Sequence, residues 1–394
     1  MKRVLYVEHN TDGTVGGSHL CLLEICRAID RARYQPVVCF FQDNALVPAF
    51  REAGVEVHFR RAWAPAAFGE TLGVLGRLLR MPYNVAHMLI VRPIVWLGFL
   101  RRLRIDLVHL NNACGFDHDL MLAARLAGIP CVIHERGIEP VVSAFTRFFA
   151  NRVAGIVAIS DAVRDNLLAK GIRARQLCRI DDGIDPSRLV QQQSVEALRR
   201  VWGVMAQTPV IGIVGNIKCW KGQETVIRAA HRLKARFPAL RCFVVGAVGD
   251  PEYKAHLDAI VRELQLHETV VFTGFQARPT DLMALFDVCV HASVEPEPFG
   301  IVILEAMGKA KPVVATNIGA PREIVVEGET GFCTPPGDAA ALAERLERLL
   351  IDAALRERLG RNGDRRLRER YTARRNVEAI ESLYTRILPA DQRG

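Results

Sequence analysis

The feature that most constrains the fold of this 394-residue chain is a regular alternation of short apolar runs with longer helix-like stretches. Such alternation is typical of buried parallel strands joined by crossover helices. The runs fall into two series: Arg3–Val7, Pro36–Phe41, Leu107–Leu110, Pro130–His134 and Gly155–Ile159, and then Val210–Val214, Arg241–Val245, Thr269–Phe272, Val288–His291 and Pro312–Ala315. We therefore expect two doubly wound, Rossmann-like α/β domains that face each other across a cleft.

The length of the chain supports two domains, because a single hydrophobic core stops growing near about 250 residues. The turn-forming segment 178–188, which contains the sequence DDGIDP, separates the two series and predicts the domain joint. We predict a first domain over residues 1–185, with a basic and apolar insert at 58–104, and a second domain over residues 186–372. Residues 373–394 are expected to form a C-terminal helix that packs back on the first domain.

Composition indicates a packed globular protein, since 50% of the residues are hydrophobic and 24% are charged. The ten cysteines include no C-x-x-C pair, so we expect buried thiols in a reducing compartment and no structural zinc. The apolar run at the N-terminus ends at Glu8 and is too short for a signal peptide. We therefore expect a cytoplasmic protein, either free or peripheral on the inner face of the plasma membrane.

The net charge of +9 is concentrated in the predicted insert. Residues 58–104 contain eight arginines and one acid, interleaved with aromatic and aliphatic residues. This pattern predicts helices with a basic face and an apolar face, which are either solvated helices over an ordinary core or a docking surface for an anionic membrane. Nucleic acid is disfavoured because no recognised binding module accompanies the charge. The stretch 81–100 approaches membrane-spanning length, but Arg92 and two prolines interrupt it, so we expect it not to span.

The sharpest motif is EPFGIVILE at residues 297–305, directly after a predicted strand. Prolines on both sides of Glu297 predict an extended residue ahead of a helix that begins near Phe299. The Glu297 carboxylate and the free backbone N–H groups of Phe299, Gly300 and Ile301 are then expected to converge on a polyhydroxylated ligand.

Glu305 lies in the second turn of the same predicted helix, which is apolar on every side. A carboxylate without a partner would be costly there. The partner is either the paired hydroxyls of a ribose or a structural arginine, and we favour the ribose because the helix starts at the expected cleft.

Asn216, Lys218 and Lys221 follow the first strand of the second series and precede a helix. A strand, a glycine turn and a lysine at a helix start form an anion site, because the ammonium group and the helix N-terminus both favour phosphate. Two lysines would neutralise a diphosphate without a metal, although solvated lysines before helices are also common.

In the first domain, Gly16 and Gly17 follow the first strand but lack the G-x-G-x-x-G order of dinucleotide sites, which disfavours a nicotinamide cofactor. They either let the backbone approach a ligand or simply form a tight turn. His134 ends another strand at the expected cleft, although a single histidine is usually structural.

These residues together resemble the retaining glycosyltransferases of family 4, which have the two-Rossmann GT-B fold. Residues 297–305 resemble the E-x7-E element of that family, and residues 319–325 and 328–332 resemble its G-G-x-x-E and G-x-T-G stretches. The resemblance is specific over residues 205–340 and weaker, though collinear, over the first domain. Residues 55–105 match no pattern that we can place.

The resemblance implies transfer of a sugar, with retention, from a nucleotide-diphosphate sugar linked to UDP or GDP. By analogy, three residues of the second domain would bind this donor: Glu305 the ribose, Glu297 the sugar hydroxyls and Lys221 the diphosphate. The Gly16–Gly17 turn would close on the donor, and His134 would contact its sugar.

Two positions depart from the family pattern. Asn216 stands where the family often has arginine, so neutralisation of the phosphates must depend on Lys221 and Lys218. Asp182 replaces the usual asparagine at the domain joint.

The leading hypothesis is a glycosyltransferase with a lipid-linked or polysaccharide acceptor in cell-envelope glycan synthesis. The alternatives are transfer to a soluble small molecule or sugar phosphate, and a noncatalytic GT-B protein that binds nucleotide-sugars. Asp117 and Asp119 have the spacing that binds metal in the other major glycosyltransferase fold. Because they open a predicted helix, we interpret them as helix-capping acids and expect no obligatory metal.

Overall fold

The computed structural model describes residues 1–11, 13, 15–61 and 82–388, so the predicted insert at 58–104 lies partly outside the described residues. The chain forms two compact units. The first comprises Met1–Asp181 together with the C-terminal segment from Ala373, and the second comprises Asp182–Thr372.

The first unit contains a seven-stranded parallel sheet in the order β3-β2-β1-β4-β5-β6-β7. Its strands are β1 Lys2–Glu8, β2 Tyr34–Phe40, β3 Glu56–Phe59, β4 Leu107–Leu110, β5 Cys131–Glu135, β6 Gly155–Ala158 and β7 Leu177–Arg179. Its helices up to the joint are α1 Gly17–Ala28, α2 Val47–Glu52, α3 Pro82–Arg102 with a π-helical part at His87–Val91, α4 His118–Leu126, α5 Ala144–Ala150 and α6 Asp161–Ala169.

The second unit contains a six-stranded parallel sheet in the order β10-β9-β8-β11-β12-β13. Its strands are β8 Val210–Val214, β9 Arg241–Val245, β10 Val270–Gly274, β11 Val288–His291, β12 Val313–Thr316 and β13 Gly331–Thr334. Its helices are α7 Val195–Trp202, α8 Gln223–Lys234, α9 Pro251–Glu263, α10 Pro279–Met283, α11 Ile301–Gly308, α12 Pro321–Ile324, α13 Ala339–Ile351 and α14 Ala353–Arg370, with 3-10 turns at Pro186–Leu189 and Cys219–Lys221.

The predicted fold class, two α/β units with parallel sheets, is confirmed. All ten predicted strands are present, and their ends agree within two residues. The three strands that were not predicted, β3, β7 and β13, lie at sheet edges. An edge strand is paired on one side only and carries polar residues, so its sequence lacks the continuous apolar run by which central strands were identified.

The C-terminal helix α15, Ala373–Ile387, belongs to the core of the first unit. Its apolar face buries Val377, Ile380 and Leu383 against α1 and the strands. Tyr384 on the same face donates a hydrogen bond to the Tyr6 hydroxyl at 3.1 Å, in the middle of β1. The helix therefore completes a core that the chain begins at its N-terminus.

The cysteines are free thiols, and all but one are buried or half-buried. The expectation of burial is wrong for Cys219, which is exposed. It lies in the 3-10 turn after β8 and not in a strand, so no sheet covers it.

Parallel strands end at a common edge of their sheet, and the loops that follow neighbouring strands therefore lie side by side. In the second unit β11 lies between β8 and β12. This order brings together the loops that contain Lys221, Glu297 and Gly319.

Candidate functional site

The loop that carries Lys221 is fastened to the segment that follows β11. Gly222, which follows Lys221, has a φ of 71°, and a Cβ there would lie 2.0 Å from the carbonyl oxygen of Ala292. The backbone N–H of Val294 donates to the Trp220 carbonyl at 2.8 Å. Only glycine permits this close approach, so the two loops hold each other in place.

Glu297 is held by its backbone before its side chain makes any contact. Its main chain forms a bridge with Gly319, and the N–H of Ala320 donates to its carbonyl at 2.9 Å. Gly319 has a φ of 67°, and a Cβ there would come within 2.4 Å of the same carbonyl oxygen. The extended backbone expected from the flanking prolines is thus also fixed by the motif at residues 319–325.

The Glu297 carboxylate is buried and has three partners. Lys221 Nζ donates to Oε1 at 2.6 Å, Ser293 Oγ donates to Oε2 at 2.6 Å, and His291 Nε2 lies 2.8 Å from Oε2. Burial alone would raise the pKa of Glu297, but the hydrogen bond and charge of His291, together with Lys221, outweigh burial and hold this pKa well below its usual range. Glu297 is therefore a fixed anion. His291 and Ser293 were not predicted, although both stand at the end of an apolar run.

The pKa of Glu305 is shifted in the opposite direction from that of Glu297. It lies on α11, deep among protein atoms, while its side chain keeps a partial opening to solvent. Burial raises its pKa to about 7, and the positive charge of Arg188 offsets only part of that rise. In the part of the chain that the structure describes, its carboxylate forms neither a hydrogen bond nor an ion pair. Among the described residues, Arg188 acts on Glu305 through its charge and forms no ion pair with it.

Helix α11 begins at Ile301, two residues later than expected, because Gly300 adopts a left-handed conformation with a φ of 110° and forms the N-cap. Phe299 is buried, and its ring packs against Tyr371 at a centroid distance of 6.2 Å. Phe299 therefore fixes the loop by packing. The first-turn N–H groups of α11 point out of the helix end, where an anion or hydroxyl oxygen can accept from them.

Asn216 and Lys218 lie in the same loop as Lys221 but not against Glu297. Both are exposed. The Asn216 carbonyl accepts from Gln223 Nε2 at 3.1 Å, and the Lys218 side chain lies over Gly249. The structure therefore brings one lysine of the predicted pair to the carboxylate and leaves the other at the surface.

In the first unit, Gly16 and Gly17 form an exposed turn at the start of α1. A Cβ at either position would meet nothing within 4 Å, and Gly16 has an ordinary φ of −113°. The fold of the described residues thus does not require glycine at these two positions. Glycine at these two positions would let a ligand approach the backbone closely. Asp12 and Thr14, from the same turn, lie outside the described residues.

Polar residues that were not predicted support this turn. Glu8 at the end of β1 accepts hydrogen bonds from Ser18 Oγ at 2.9 Å and from Asn111, and Arg136 donates to the Asn111 side chain at 3.3 Å. His19 Nδ1 lies 3.7 Å from Glu8. Each of Glu8, Asn111 and Arg136 stands at or just after the end of a buried strand, which is the signal by which they could have been found.

His134 lies at the same sheet edge but is fully buried. Its Nδ1 lies 3.2 Å from Nε2 of His109, whose other nitrogen contacts the Tyr384 hydroxyl. Burial, with the charges of Arg136 and His109, holds the pKa of His134 well below its usual range. The ring is enclosed by protein atoms. The predicted contact of His134 with a sugar is therefore not supported by its position, and it stays a prediction.

Asp117 and Asp119 stand at the start of α4 as expected, at the N-cap and in the first turn, but the expected capping bond of Asp117 is absent. Asp117 is the N-cap of α4 but makes no side-chain capping bond, and its Oδ1 lies 3.0 Å from His9 Nδ1. Asp119 is buried and accepts hydrogen bonds from Arg92 and Trp96 of α3. Both acids are used for packing one element on another. Among the described residues there is no group of three or more His, Cys, Asp or Glu side chains that could hold a metal ion.

Each of the two units matches the model of a known protein family. The description "Glycosyl transferases group 1" matches residues 194–366, and "Glycosyl transferase 4-like domain" matches residues 16–183. An alpha-maltose-1-phosphate synthase of Mycobacterium tuberculosis (strain CDC 1551 / Oshkosh) is 30% identical over 298 residues, which span 68% of this chain and 75% of that protein. The capsular polysaccharide biosynthesis glycosyltransferase CapM of Staphylococcus aureus is 31% identical over 179 residues, or 45% of this chain and 46% of that protein.

A solved structure covers nearly the whole chain. The Anabaena protein Alr3699/HepE in complex with UDP is 27% identical, with a TM-score of 0.79 over 98% of this chain and 100% of that one. The same protein in complex with UDP-glucose aligns at 25% identity with a TM-score of 0.76.

The raised pKa of Glu305 makes a prediction about stability. Because the folded chain binds this proton more tightly than the unfolded chain, the free energy of unfolding falls as the pH rises from 4.5 to about 7, and the full cost is present above pH 7. Glu305→Gln removes that cost. We expect this variant to be more stable than the wild type by about 1–3 kcal/mol at pH 8, with the difference closing toward pH 4.5, in urea unfolding.

Glu263→Gln, at an exposed position on α9, is the matched control, and it should change the free energy of unfolding by no more than about 0.5 kcal/mol. A Glu305→Gln variant that is less stable than the wild type at pH 8 would show that the carboxylate is held in a structural ion pair.

Proposed function

Because the chain belongs to the group 1 glycosyltransferase family, with a glycosyl transferase 4-like domain in its first half, we propose that it moves a sugar from a nucleotide-diphosphate sugar to an acceptor hydroxyl. The observation that carries the proposal is the Glu305 carboxylate, which is desolvated and has no hydrogen-bond partner in the described chain. Two adjacent ribose hydroxyls are donors of the right number and spacing to satisfy its two oxygens.

The donor that we propose is a UDP-sugar. The support comes from the Anabaena protein, which is 27% identical over nearly the full chain and whose structures hold UDP and UDP-glucose. In this chain Glu305 would accept from the ribose, as in the family E-x7-E element that residues 297–305 resemble. The exposed Gly16–Gly17 turn would let backbone approach the donor, since nothing in the described fold occupies the space of its missing Cβ atoms.

Lys221 and Glu297 would divide the remaining donor contacts. The Lys221 ammonium group, now 2.6 Å from Glu297, would turn to the diphosphate, with the α11 N-terminus beside it. Glu297 would stay ionised through this exchange, because His291 and Ser293 still hold it. It could then accept hydrogen bonds from sugar hydroxyls. Positive charge fixed where the leaving phosphate develops negative charge is the largest expected source of rate enhancement.

We propose retention at the anomeric carbon. The bond between that carbon and the diphosphate oxygen breaks, and the acceptor oxygen bonds to the same face of the sugar. The acceptor's proton passes to the departing phosphate oxygen, so no protein acid is needed for the leaving group. The two glutamates would therefore bind substrate, unlike the paired acid and nucleophile of a retaining glycosidase.

The acceptor that we propose is a lipid-linked or polysaccharide glycan of the cell envelope, made at the cytoplasmic face of the membrane. The similarity to CapM, named for capsular polysaccharide biosynthesis, favours it. A soluble acceptor is the second candidate, because the mycobacterial relative is named as a maltose-1-phosphate synthase.

Two substitutions test the donor site. Glu305→Gln should raise the Kd for UDP about tenfold or more, because it replaces a charged acceptor of ribose hydroxyls with a neutral amide. Lys221→Met should lower kcat/KM about 10²–10³-fold, because the transition-state charge on the diphosphate loses a cation. Calorimetric titration with UDP and initial-rate kinetics measure the two effects.

Lys234→Met is the matched control for Lys221→Met. Lys234 lies at the far end of α8 and bonds the Gln265 carbonyl at 2.8 Å. Full activity of a folded Lys221→Met variant would contradict the role of Lys221 at the diphosphate. An unchanged Kd for UDP in Glu305→Gln would contradict the role of Glu305 at the ribose.

Metal independence is a separate prediction. Since Lys221 and a helix N-terminus would supply the positive charge, we expect the initial rate to be unchanged in excess EDTA. Complete loss of turnover in EDTA that manganese restores would contradict the proposal.

Retention predicts the product. Proton NMR of the first turnovers should show the new linkage with the anomeric configuration of the donor, and an inverted linkage would rule out the proposed step.

A further inference from the structure

Helix α3 has two faces with different surroundings. Its inner face buries Trp96, Phe99 and Leu100 in the first unit. Asp119 of α4 accepts hydrogen bonds from Arg92 Nε at 2.5 Å and from Trp96 Nε1 at 2.9 Å, both on α3. A buried carboxylate thus ties the helix to the folded unit along one side.

The outer face of α3 is apolar and exposed. It consists of Tyr83, Val85, Ile90, Val91, Ile94 and Val95, whose exposed fractions run from 40% to 63%. Soluble monomers rarely expose apolar residues in such a continuous series, and such a patch marks an interaction surface. By length and composition α3, with 21 residues, could also cross a membrane.

Within α3 and the two helices that follow it, the exposed charged side chains are arginines. Helix α3 contains no acid, and its C-terminal end and the residues that follow expose Arg101, Arg102 and Arg104. Helix α4, which packs on α3, adds Arg125, and α5, which packs on α4, adds Arg147; the single acid of these two helices, Asp119, is buried. An apolar stripe on a helix that contains no acid and ends in exposed arginines complements an anionic lipid surface, into which the stripe would insert while the guanidinium groups meet phosphates.

We propose that the outer face of α3 docks the protein on an anionic phospholipid bilayer, with the helix lying in the plane of the interface. A spanning orientation would require α3 to leave the first unit. The buried Asp119 carboxylate would then lose its two hydrogen-bond donors, Arg92 and Trp96. A protein partner would leave the arginines without a counter-charge. This inference deepens the proposed function by naming the surface at which a lipid-linked acceptor would be reached. Lipid binding itself requires no sugar transfer, so the two can fail separately.

The test is co-sedimentation of the full chain with vesicles of phosphatidylcholine alone or with 30% phosphatidylglycerol, a composition of about physiological anionic content. We expect binding to the anionic vesicles to exceed binding to the neutral ones about tenfold and to weaken in high salt. Ile90→Glu with Ile94→Glu should lower binding about tenfold or more. Replacing Arg101, Arg102 and Arg104 by glutamine should remove the preference for anionic lipid.

The matched control is Val201→Glu with Ile351→Glu, two exposed aliphatic positions on the second unit, which should bind as the wild type does. Urea unfolding of every variant verifies folding independently of any ligand. UDP binding is measured separately, and its absence in the wild type would contradict the proposed function alone. Unchanged vesicle binding by the Ile90/Ile94 variant would overturn the inference. So would self-association through this face without lipid binding, or resistance to carbonate extraction, which indicates a spanning helix.

Discussion

The energetic cost of burying a carboxylate organises the site of the second unit. Glu297 meets that cost with an ammonium group, a hydroxyl and an imidazole, and it remains ionised. Glu305, eight residues later, is largely desolvated, only the positive charge of Arg188 favours its ionised form, and its pKa rises to about 7. Within the described residues, the chain thus keeps one of these two acids satisfied and leaves the other unsatisfied. The unsatisfied acid is the feature on which the proposed ligand binding rests.

The rest of the second unit serves to hold these two acids in place. Parallel pairing of β8, β11 and β12 aligns the loops after them. Gly222 and Gly319 then let the backbones approach to distances that a Cβ would forbid. The donor site would thus be assembled by backbone geometry before any side chain contributes. Rigid placement of this kind is what a preorganised site requires, because reorganisation costs are met during folding.

The sequence was sufficient for the central strands, since each is a continuous apolar run, and for Lys221, Glu297 and Glu305 as individual candidates. It was not sufficient for the contact of Lys221 with Glu297, because that contact joins loops 76 residues apart and depends on which strands are neighbours. The contacts of His291 and Ser293 with Glu297 were missed. A polar residue at the end of an apolar run indicates where a strand ends, but it does not indicate which side chain that residue will contact. The apolar face of α3 was predicted only in outline, because which residues of an apolar helix stay exposed depends on how it packs.

A crystal structure of the protein with UDP tests the central claim most directly. The account predicts that both carboxylate oxygens of Glu305 lie within about 3 Å of the ribose hydroxyl oxygens, with Lys221 moved from Glu297 to the diphosphate. A complex in which Glu305 forms an ion pair with Arg188, with the ribose bound elsewhere or UDP absent, would contradict it.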